Sequence, residues 1–495
     1  MRMLVIVAVL GASCALVNGS GMSANEPGES GKTDWFVAAK YGVFVHYLNS
    51  IQNNPDHVAS LGKQTDWDAC VREFDVEKFA ERMEQAGAGY VIFTMMQISR
   101  YLIAPNATFD RLTGYQPGQA CATRDLVEDL YAALHRRGIP LMLYWTGDGP
   151  RGDPQAAAAL GWPADGRVTE EFVRNWAEVA REYGLRYKDK VRGFWVDGCY
   201  PFIGYDENKL GILADALRAG YSERIIALNP GVEDRVRPYS RHEDFTAGEQ
   251  NSFTDLPFDR FIGGKQWHVL SYLGCERGAG TGWGQPGTAK TKRETIDYVH
   301  ACGVAGGVVS IDVVLYRDGD LDRSQLEVLK ALRPGLAAKA GEFDAWTRGE
   351  AVPPRNKAWR KPAFLKSADG SQLLVPSGGE IHAAAYGVDG DPKTSAQAGY
   401  EWAWSYEVNL IHREKVRQIA ILFGPGFATE FEVLASLDGQ AWNRLAEFNR
   451  SSGGRVEVTL PAPVEVRLIR VKAVKPDGPG QPGAQMSIAE LEVYE

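Results

Sequence analysis

Along roughly the first two-thirds of the chain, short apolar runs alternate with longer segments in which apolar residues recur every three or four positions. Runs at 41–47, 90–96, 139–145, 191–197, 224–228, 243–247, 266–274 and 306–314 predict strands. Between them lie helical segments. The spacing of Val76, Phe79, Met83 and Ala86 predicts a helix over 75–86, and Gly87 ends it. The next helical stretch opens at Thr123 as N-cap and closes on His135-Arg136-Arg137-Gly138. Further helices are predicted over 169–188, where Phe172, Trp176, Val179 and Tyr183 form a core stripe, and over 209–219, 291–302 and 322–332. Eight strand signals alternating with helices predict an α/β fold, a (β/α)8 barrel spanning 33–345. A doubly wound open sheet would carry a Gly-rich phosphate turn after its first strand, and 41–50 has none.

Beyond the barrel the texture changes. Residues 346–376 have no clean period and read as a linker with accessory strands. From 377 to 495, short alternating strands separated by turn residues predict a β-sandwich. At the other end, Arg2 and the apolar stretch 3–17, followed by small residues, predict a signal peptide over 1–24 and hence export to the periplasm or outside the cell. A lipoprotein reading through Cys14 is weaker, because Gly11-Ala12-Ser13 lacks the usual leading Leu. No later stretch is apolar enough over a sufficient length to predict a membrane span.

Composition narrows the partners. A net charge of −9 argues against a phosphate backbone, so nucleic acid is not expected. Thirteen Trp and 20 Tyr suit either cores or sugar-stacking surfaces. Without Cys14, five cysteines remain, enough for at most two bridges, and no spacing among them argues for zinc. No cofactor for catalysis is expected.

The stretch 191–200 carries the sharpest chemical signal. An apolar strand ends on Asp197 and turns at Gly198. A carboxylate at the C-terminal end of a barrel strand sits on the catalytic face and is costly to desolvate unless used. The plain alternative is a turn-capping Asp. As a glycosidase carboxylate, Asp197 needs hydrogen-bond donors, for which His46 and Tyr144 are candidates, and a proton-bearing partner. Glu249, after a predicted strand end and next to Gly248, is favoured over Glu276 in a Gly-rich loop; Glu243 is expected in a surface ion pair with Arg241. His268 is a third candidate acid or a ligand for a hydroxyl. Tyr47, Trp145, Trp267 and Trp283 are candidate pocket walls.

Four stretches together resemble the α-L-fucosidases of glycoside hydrolase family 29: KYGVFVHYL, AGAGYVIFTMMQ with TRDLVEDLYAALHRRGIPLMLYW, GFWVDG, and GGVVSIDVVLYRDGDL. The resemblance implies a retaining exo-hydrolase in which His46 contacts the sugar and Asp197 is the nucleophile. Two positions depart from the family. Its His-His pair reads Met96-Gln97 here, and a Trp-Glu that supplies the acid in some members reads Trp267-His268. Gln97 stands in the altered motif as a candidate sugar contact; Arg100 and Tyr101 follow it as candidates to replace the His pair, and Arg100 would suit an anionic group such as a sulfate or a uronic carboxylate. A non-catalytic glycan-binding barrel, or a hydrolase of another glycoside, remains open beside this reading.

The C-terminal part, through AYGVDGDPKT and MSIAELEVYE, resembles the discoidin or coagulation-factor type C fold of family 32 carbohydrate-binding modules. That resemblance implies glycan binding and a structural Ca²⁺ held by Asp389, Asp391, Thr394 and Glu490; the alternative is a plain Asp-Gly turn.

Overall fold

A computed structural model describes residues 4–6, 30–233, 235–253, 255–257, 259–275, 281–347, 356–359, 361–372, 374, 376–377, 382–399, 401–476 and 485–495. The chain divides into two compact units, one of residues 24–341 and one of 1–23 with 342–495. Of the expected signal segment only Leu4–Ile6 is described; it runs parallel to residues 457–459.

The first unit is a curled parallel sheet. Its strands are β1 (Tyr41–Val45), β2 (Val91–Thr94), β3 (Leu141–Thr146), β4 (Val191–Asp197), β5 (Ile225–Leu228), β6 (His268–Tyr272) and β7 (Val308–Val313). They lie in the order β5-β4-β3-β2-β1-β7-β6, every pair parallel. The strand expected at 243–247 does not form as a regular strand. The segment nevertheless fills the gap between β5 and β6: Asp244 N donates to Ile226 O at 2.7 Å, Thr246 N to Gln266 O at 3.0 Å and Gln250 N to Leu270 O at 2.9 Å. The sheet thus closes into a TIM-type barrel through an irregular eighth member.

Helices follow the strands where the period places them: Val76–Gln85, Leu126–His135, Glu170–Tyr187, Glu207–Leu217, Lys292–Val304 and Arg323–Thr347. Asp75, Asp125, Thr169, Asp206 and Thr291 cap their N-termini by accepting a backbone N–H. The last helix runs on through Pro334, well past the expected end at 332.

Strand alternation fills the barrel and then builds its mouth. Facing inward are Phe44, Ile92, Met142, Tyr144, Trp195, Ile225, Ala227, Phe245, Ala247, Leu270 and Val308, a packed cluster. Gly193 is part of the same fit, since a β-carbon there would meet Met142 Cε at 2.6 Å. Continuing five of these runs by two residues gives His46, Asp197, Asn229, Glu249 and Tyr272, and the run through Val308 and Ser310 reaches Asp312. Apolar layers therefore pack the barrel, and a polar layer crowns it at the C-terminal ends of the strands.

The second unit is antiparallel: β8 (Ala363–Ser367), β9 (Trp404–Phe423), β10 (Glu430–Ser436), β11 (Asn443–Phe448), β12 (Arg455–Lys475) and β13 (Ile488–Tyr494). Long β9 pairs with β12 along both halves, and the register breaks between Asn409 and Glu414. One half of β9 carries β8 and the other carries β13, so the strand serves both layers of the sandwich. Trp404, Tyr406, Val408, Ile419, Ile421, Phe431, Ile469 and Leu491 build the core between them. The five described cysteines are free thiols, all but Cys275 buried. Among the described residues no helix is long and apolar enough to cross a membrane.

Candidate active site

A cavity of about 370 Å³ opens at the polar end of the barrel, lined by Phe44, His46, Gln97, Tyr144, Trp195, Asp197, Tyr200, Glu249 and Trp283 among others. Phe44, Trp195 and Leu270 form its apolar floor.

Asp197 ends β4 and points into this cavity. Its Oδ2 accepts from Tyr144 OH at 2.7 Å, and its Oδ1 accepts from Tyr200 OH at 2.8 Å and Asn229 Nδ2 at 2.9 Å. Three donors thus fix the orientation of this one carboxylate. Gln97 Nε2 donates in turn to Tyr144 OH at 2.9 Å. Gly198 follows at φ +62, and a β-carbon there would sit 2.5 Å from Asp148 Oδ1, so only glycine makes this turn.

Glu249 comes from the irregular segment. Gly248, at φ +59, presses against β6 so closely that a β-carbon would stand 2.1 Å from His268 O. That turn aims Glu249 inward. Its Oε2 accepts from Asn229 Nδ2 at 2.7 Å, the same nitrogen that serves Asp197. Burial, then the negative charge of Asp197, push the Glu249 carboxyl up to about 7, against the opposing pull of Asn229 and His46.

His46 Nδ1 donates to Asp312 Oδ1 at 2.9 Å, leaving Nε2 for the cavity. Burial disfavours its charge, but Asp312, Asp197 and Glu249 outweigh burial, and its pKa is raised. Trp283 stands edge-on to His46, ring centroids 6.2 Å apart, and its Nε1 donates to Asn251 at 3.3 Å.

Several expected residues lie elsewhere. Trp145 points away from the barrel axis and stacks on Trp176 at 4.6 Å, because it has the opposite parity to Tyr144. Trp267 is buried against Gly307 at the start of β6. His268 faces inward but in the lowest layer, bonded to Thr246 O at 2.8 Å and Ser310 Oγ at 2.7 Å, and burial pulls its pKa down to about 4. It is neutral core, not a pocket acid. Tyr47 is buried with its hydroxyl on Cys70 O. Arg100 pairs with Asp153 at 2.8 Å and lies against the Tyr101 and Tyr115 rings, outside the cavity wall. It is not placed to meet an anionic group there. Glu243 is not a surface partner of Arg241: it is buried, accepts from Tyr239 N at 2.7 Å, and is pushed by burial up to about 8. Glu276 lies outside the described residues.

The sequence reading missed Asn229, Tyr200 and Asp312. Asn229 was legible only as the end of a strand before Pro230-Gly231, yet it stands two residues beyond the inward Ala227. Asp312 stands two beyond Ser310 in the same way.

In the second unit, Asp389, Thr394 and Glu490 come together. Thr394 Oγ1 donates to Asp389 Oδ2 at 3.0 Å, and Gly390 N donates to Glu490 Oε1 at 2.7 Å. Burial, and then the neighbouring Asp389, push Glu490 up to about 7. Asp391 offers its carbonyl to Thr394 Oγ1 at 2.9 Å, but its carboxylate accepts from Lys393 N. Among the described residues no three His, Cys, Asp or Glu side chains gather as a metal cluster. Two neighbouring carboxyl groups, with hydroxyl and carbonyl oxygens beside them, are a donor set that fits a hard cation.

Residues 369–491 match the F5/8 type C domain family. Comparison with curated proteins finds no match. Among solved structures, the chain is similar to a putative alpha-L-fucosidase from Bacteroides thetaiotaomicron at 14% identity, covering 96% of this chain and 99% of that one, TM-score 0.46. It is also similar to a mutant of a Ruminococcus gnavus GH29 fucosidase in complex with fucose, at 14% identity, covering 95% and 94%, TM-score 0.41. It is also similar to a mutant of a chitosan-binding module from a Paenibacillus chitosanase/glucanase at 20% identity, covering 28% of this chain and 98% of that one, TM-score 0.23.

Proposed function

We propose that the barrel is a retaining exo-glycoside hydrolase acting on α-L-fucosides, with the C-terminal domain binding glycan. The observation that carries this is the shared amide of Asn229. Two acceptors at 2.9 and 2.7 Å from one nitrogen, with its hydrogens spread by roughly 120°, place carboxylate oxygens of Asp197 and Glu249 about 5 Å apart. Retaining glycosidases need carboxyl groups ~5–5.5 Å apart.

The roles follow from surroundings. Asp197, held by Tyr144, Tyr200 and Asn229, attacks the anomeric carbon and forms a glycosyl ester. Glu249 keeps its proton near neutrality and gives it to the departing oxygen. It then takes a proton from the water that cleaves the ester. His46 Nε2 and Gln97 face the sugar hydroxyls, and Trp283 offers a ring edge. A cavity of about 370 Å³ with a closed apolar floor admits a terminal sugar and stops a chain from threading through. The 6-methyl of a deoxy sugar suits Phe44 and Leu270. Among the described residues that line the cavity there is no Arg or Lys, and the glycon of this reading is a neutral sugar.

In the C-terminal domain Asp389, Thr394 and Glu490 would hold a Ca²⁺, which would neutralise the two carboxylates and pin the loop.

The test is turnover of 4-nitrophenyl α-L-fucoside by the wild type and by Asp197→Ala, with the anomer of the first product read by NMR. Retention, abolished in the variant, supports the reading. Activity that survives the substitution, or an inverted first product, refutes it. No turnover of any aryl glycoside favours a glycan-binding barrel.

A further inference from the structure

The mouth of the cavity carries apolar surface that a one-sugar pocket does not use. Phe202 is 70% exposed, on the 3₁₀ turn Pro201–Ile203 that follows β4. Its ring stacks on that of Tyr200, centroids 5.0 Å apart and planes 15° apart. Tyr200 is the residue whose hydroxyl holds Asp197. The stack therefore runs from the nucleophile outward into solvent.

A second strip of chain extends the same surface. Val232 is 51% exposed. Its neighbour Gly231 borders the Tyr200 ring, where a β-carbon would stand 3.8 Å from the nearest ring atom. Its other neighbour, Glu233, donates its backbone N–H to Glu249 O at 3.0 Å. Val232 is thus held between the ring beside the nucleophile and the backbone of the acid. Phe202 thus stacks on a ring that lines the cavity, and Val232 lies between a residue that borders that ring and one bonded to the Glu249 backbone.

Isolated exposed apolar residues are ordinary. Here a stacked aromatic pair and a valine are fixed to the two carboxyl-bearing segments, and the stack begins on the ring that holds the nucleophile. Hydration of that surface is unfavourable, and the C–H face of a pyranose covers it without burying a hydroxyl. The geometry points to a leaving-group subsite: Phe202 and Val232 form a platform for the neutral pyranose to which the terminal sugar is attached. The enzyme then selects disaccharide-containing glycans over simple glycosides through this second ring. The inference rests on the hydrolase reading above and adds which part of the substrate lies outside the cavity.

The test compares α-L-fucosyl fluoride, which has no second ring, with fucosyl disaccharides linked to N-acetylglucosamine or galactose. The full-length wild type, Phe202→Ala and Phe202→Tyr are assayed with each. Phe202→Ala should lower kcat/KM for a turned-over disaccharide roughly five- to tenfold more than for the fluoride, chiefly through KM. Phe202→Tyr, which keeps the ring, should restore most of it. Equal losses on both substrates, or no loss on either, overturn the platform while leaving the hydrolase reading standing. If the wild type turns over neither, the hydrolase reading fails, and calorimetric titration with the disaccharides decides the platform. Weaker binding of a disaccharide in Phe202→Ala than in wild type supports it. Unchanged binding, or none to the wild type, overturns it.

Discussion

The amide nitrogen of Asn229 lies 2.7 Å from Glu249 Oε2 and spends its other hydrogen on Asp197. Asn229 Oδ1 is itself fixed by Gly231 N at 3.1 Å, so the amide cannot turn over without breaking a bond. Replacing Asn229 by Ala should lower kcat/KM by roughly a hundredfold, the cost of removing one preorganised donor. The same change removes a bond that lowers the Glu249 pKa, so the alkaline limb of the pH–rate profile should move upward. A profile that keeps its limb in place would mean that Asn229 is structural only.

Glu249 is an acid only while protonated. Its carboxyl is raised from the ordinary value to about 7, so the working form is present below that pH and is lost as pH rises through it. Activity should fall on the alkaline side with an apparent pKa near 7. Glu249→Ala should lose ~10²–10⁴-fold on a substrate with a poor leaving group, far less on the fluoride, and should no longer show that limb. Equal losses on both substrates would move the acid elsewhere, Glu276 being the next candidate.

Gly248→Ala forces a side chain into a left-handed turn against a carbonyl. The cost should be at least about 2 kcal/mol, read as a lowered denaturant midpoint. Because this turn carries Glu249, activity should fall further than the loss of folded protein explains. An unchanged midpoint would show that the segment relaxes freely.

His268 makes the fold acid-sensitive. Its pKa is depressed to about 4 by burial, while in the unfolded chain it titrates near its ordinary value. Between those values the unfolded state binds the proton and the folded state does not, so stability falls as pH drops from about 6.5 to 4. The contribution is about 3 kcal/mol at most. Replacing His268 by Gln, which keeps polar contacts in the same space, should flatten the stability curve over that window even if it lowers it throughout. A curve of unchanged slope would place the acid sensitivity elsewhere.

Removing divalent cations should lower the melting temperature of the C-terminal domain, and Ca²⁺ should restore it, if Asp389 and Glu490 hold an ion. Glu490→Gln should abolish the difference between chelated and Ca²⁺-loaded protein. Identical melting with chelator and with Ca²⁺ would leave the loop held by the Thr394–Asp389 and Gly390–Glu490 hydrogen bonds alone.

The barrel was legible because strand and helix periods differ, and seven of its eight strands form where the apolar runs lie. The exception, 243–250, mixes Glu243, Asp244, Thr246 and Gly248 with apolar residues, and its backbone follows its neighbours without a regular ladder. Asp197 and Glu249 reach the cavity because each lies two residues beyond an inward position, Trp195 and Ala247. The errors at Trp145 and Trp267 came from weighing residue type above parity: each sits one residue from an inward position, and a one-residue offset puts a side chain on the other face. His268 has inward parity but lies at the foot of its strand, a distinction of depth that only the pairing of Val308 with His268 and Asp312 with Tyr272 supplies. Arg100 was misjudged because Asp153, its partner, is 53 residues away in sequence.

Because the eighth member of the barrel hangs on its neighbours by separate backbone bonds instead of a ladder, its length is not locked to theirs. A change of chain length before Asp244 would leave the bonds of Asp244, Thr246 and Gln250 to the neighbouring strands in place. Glu249 thus rides on an irregular segment, whereas Asp197 is the last residue of a regular strand.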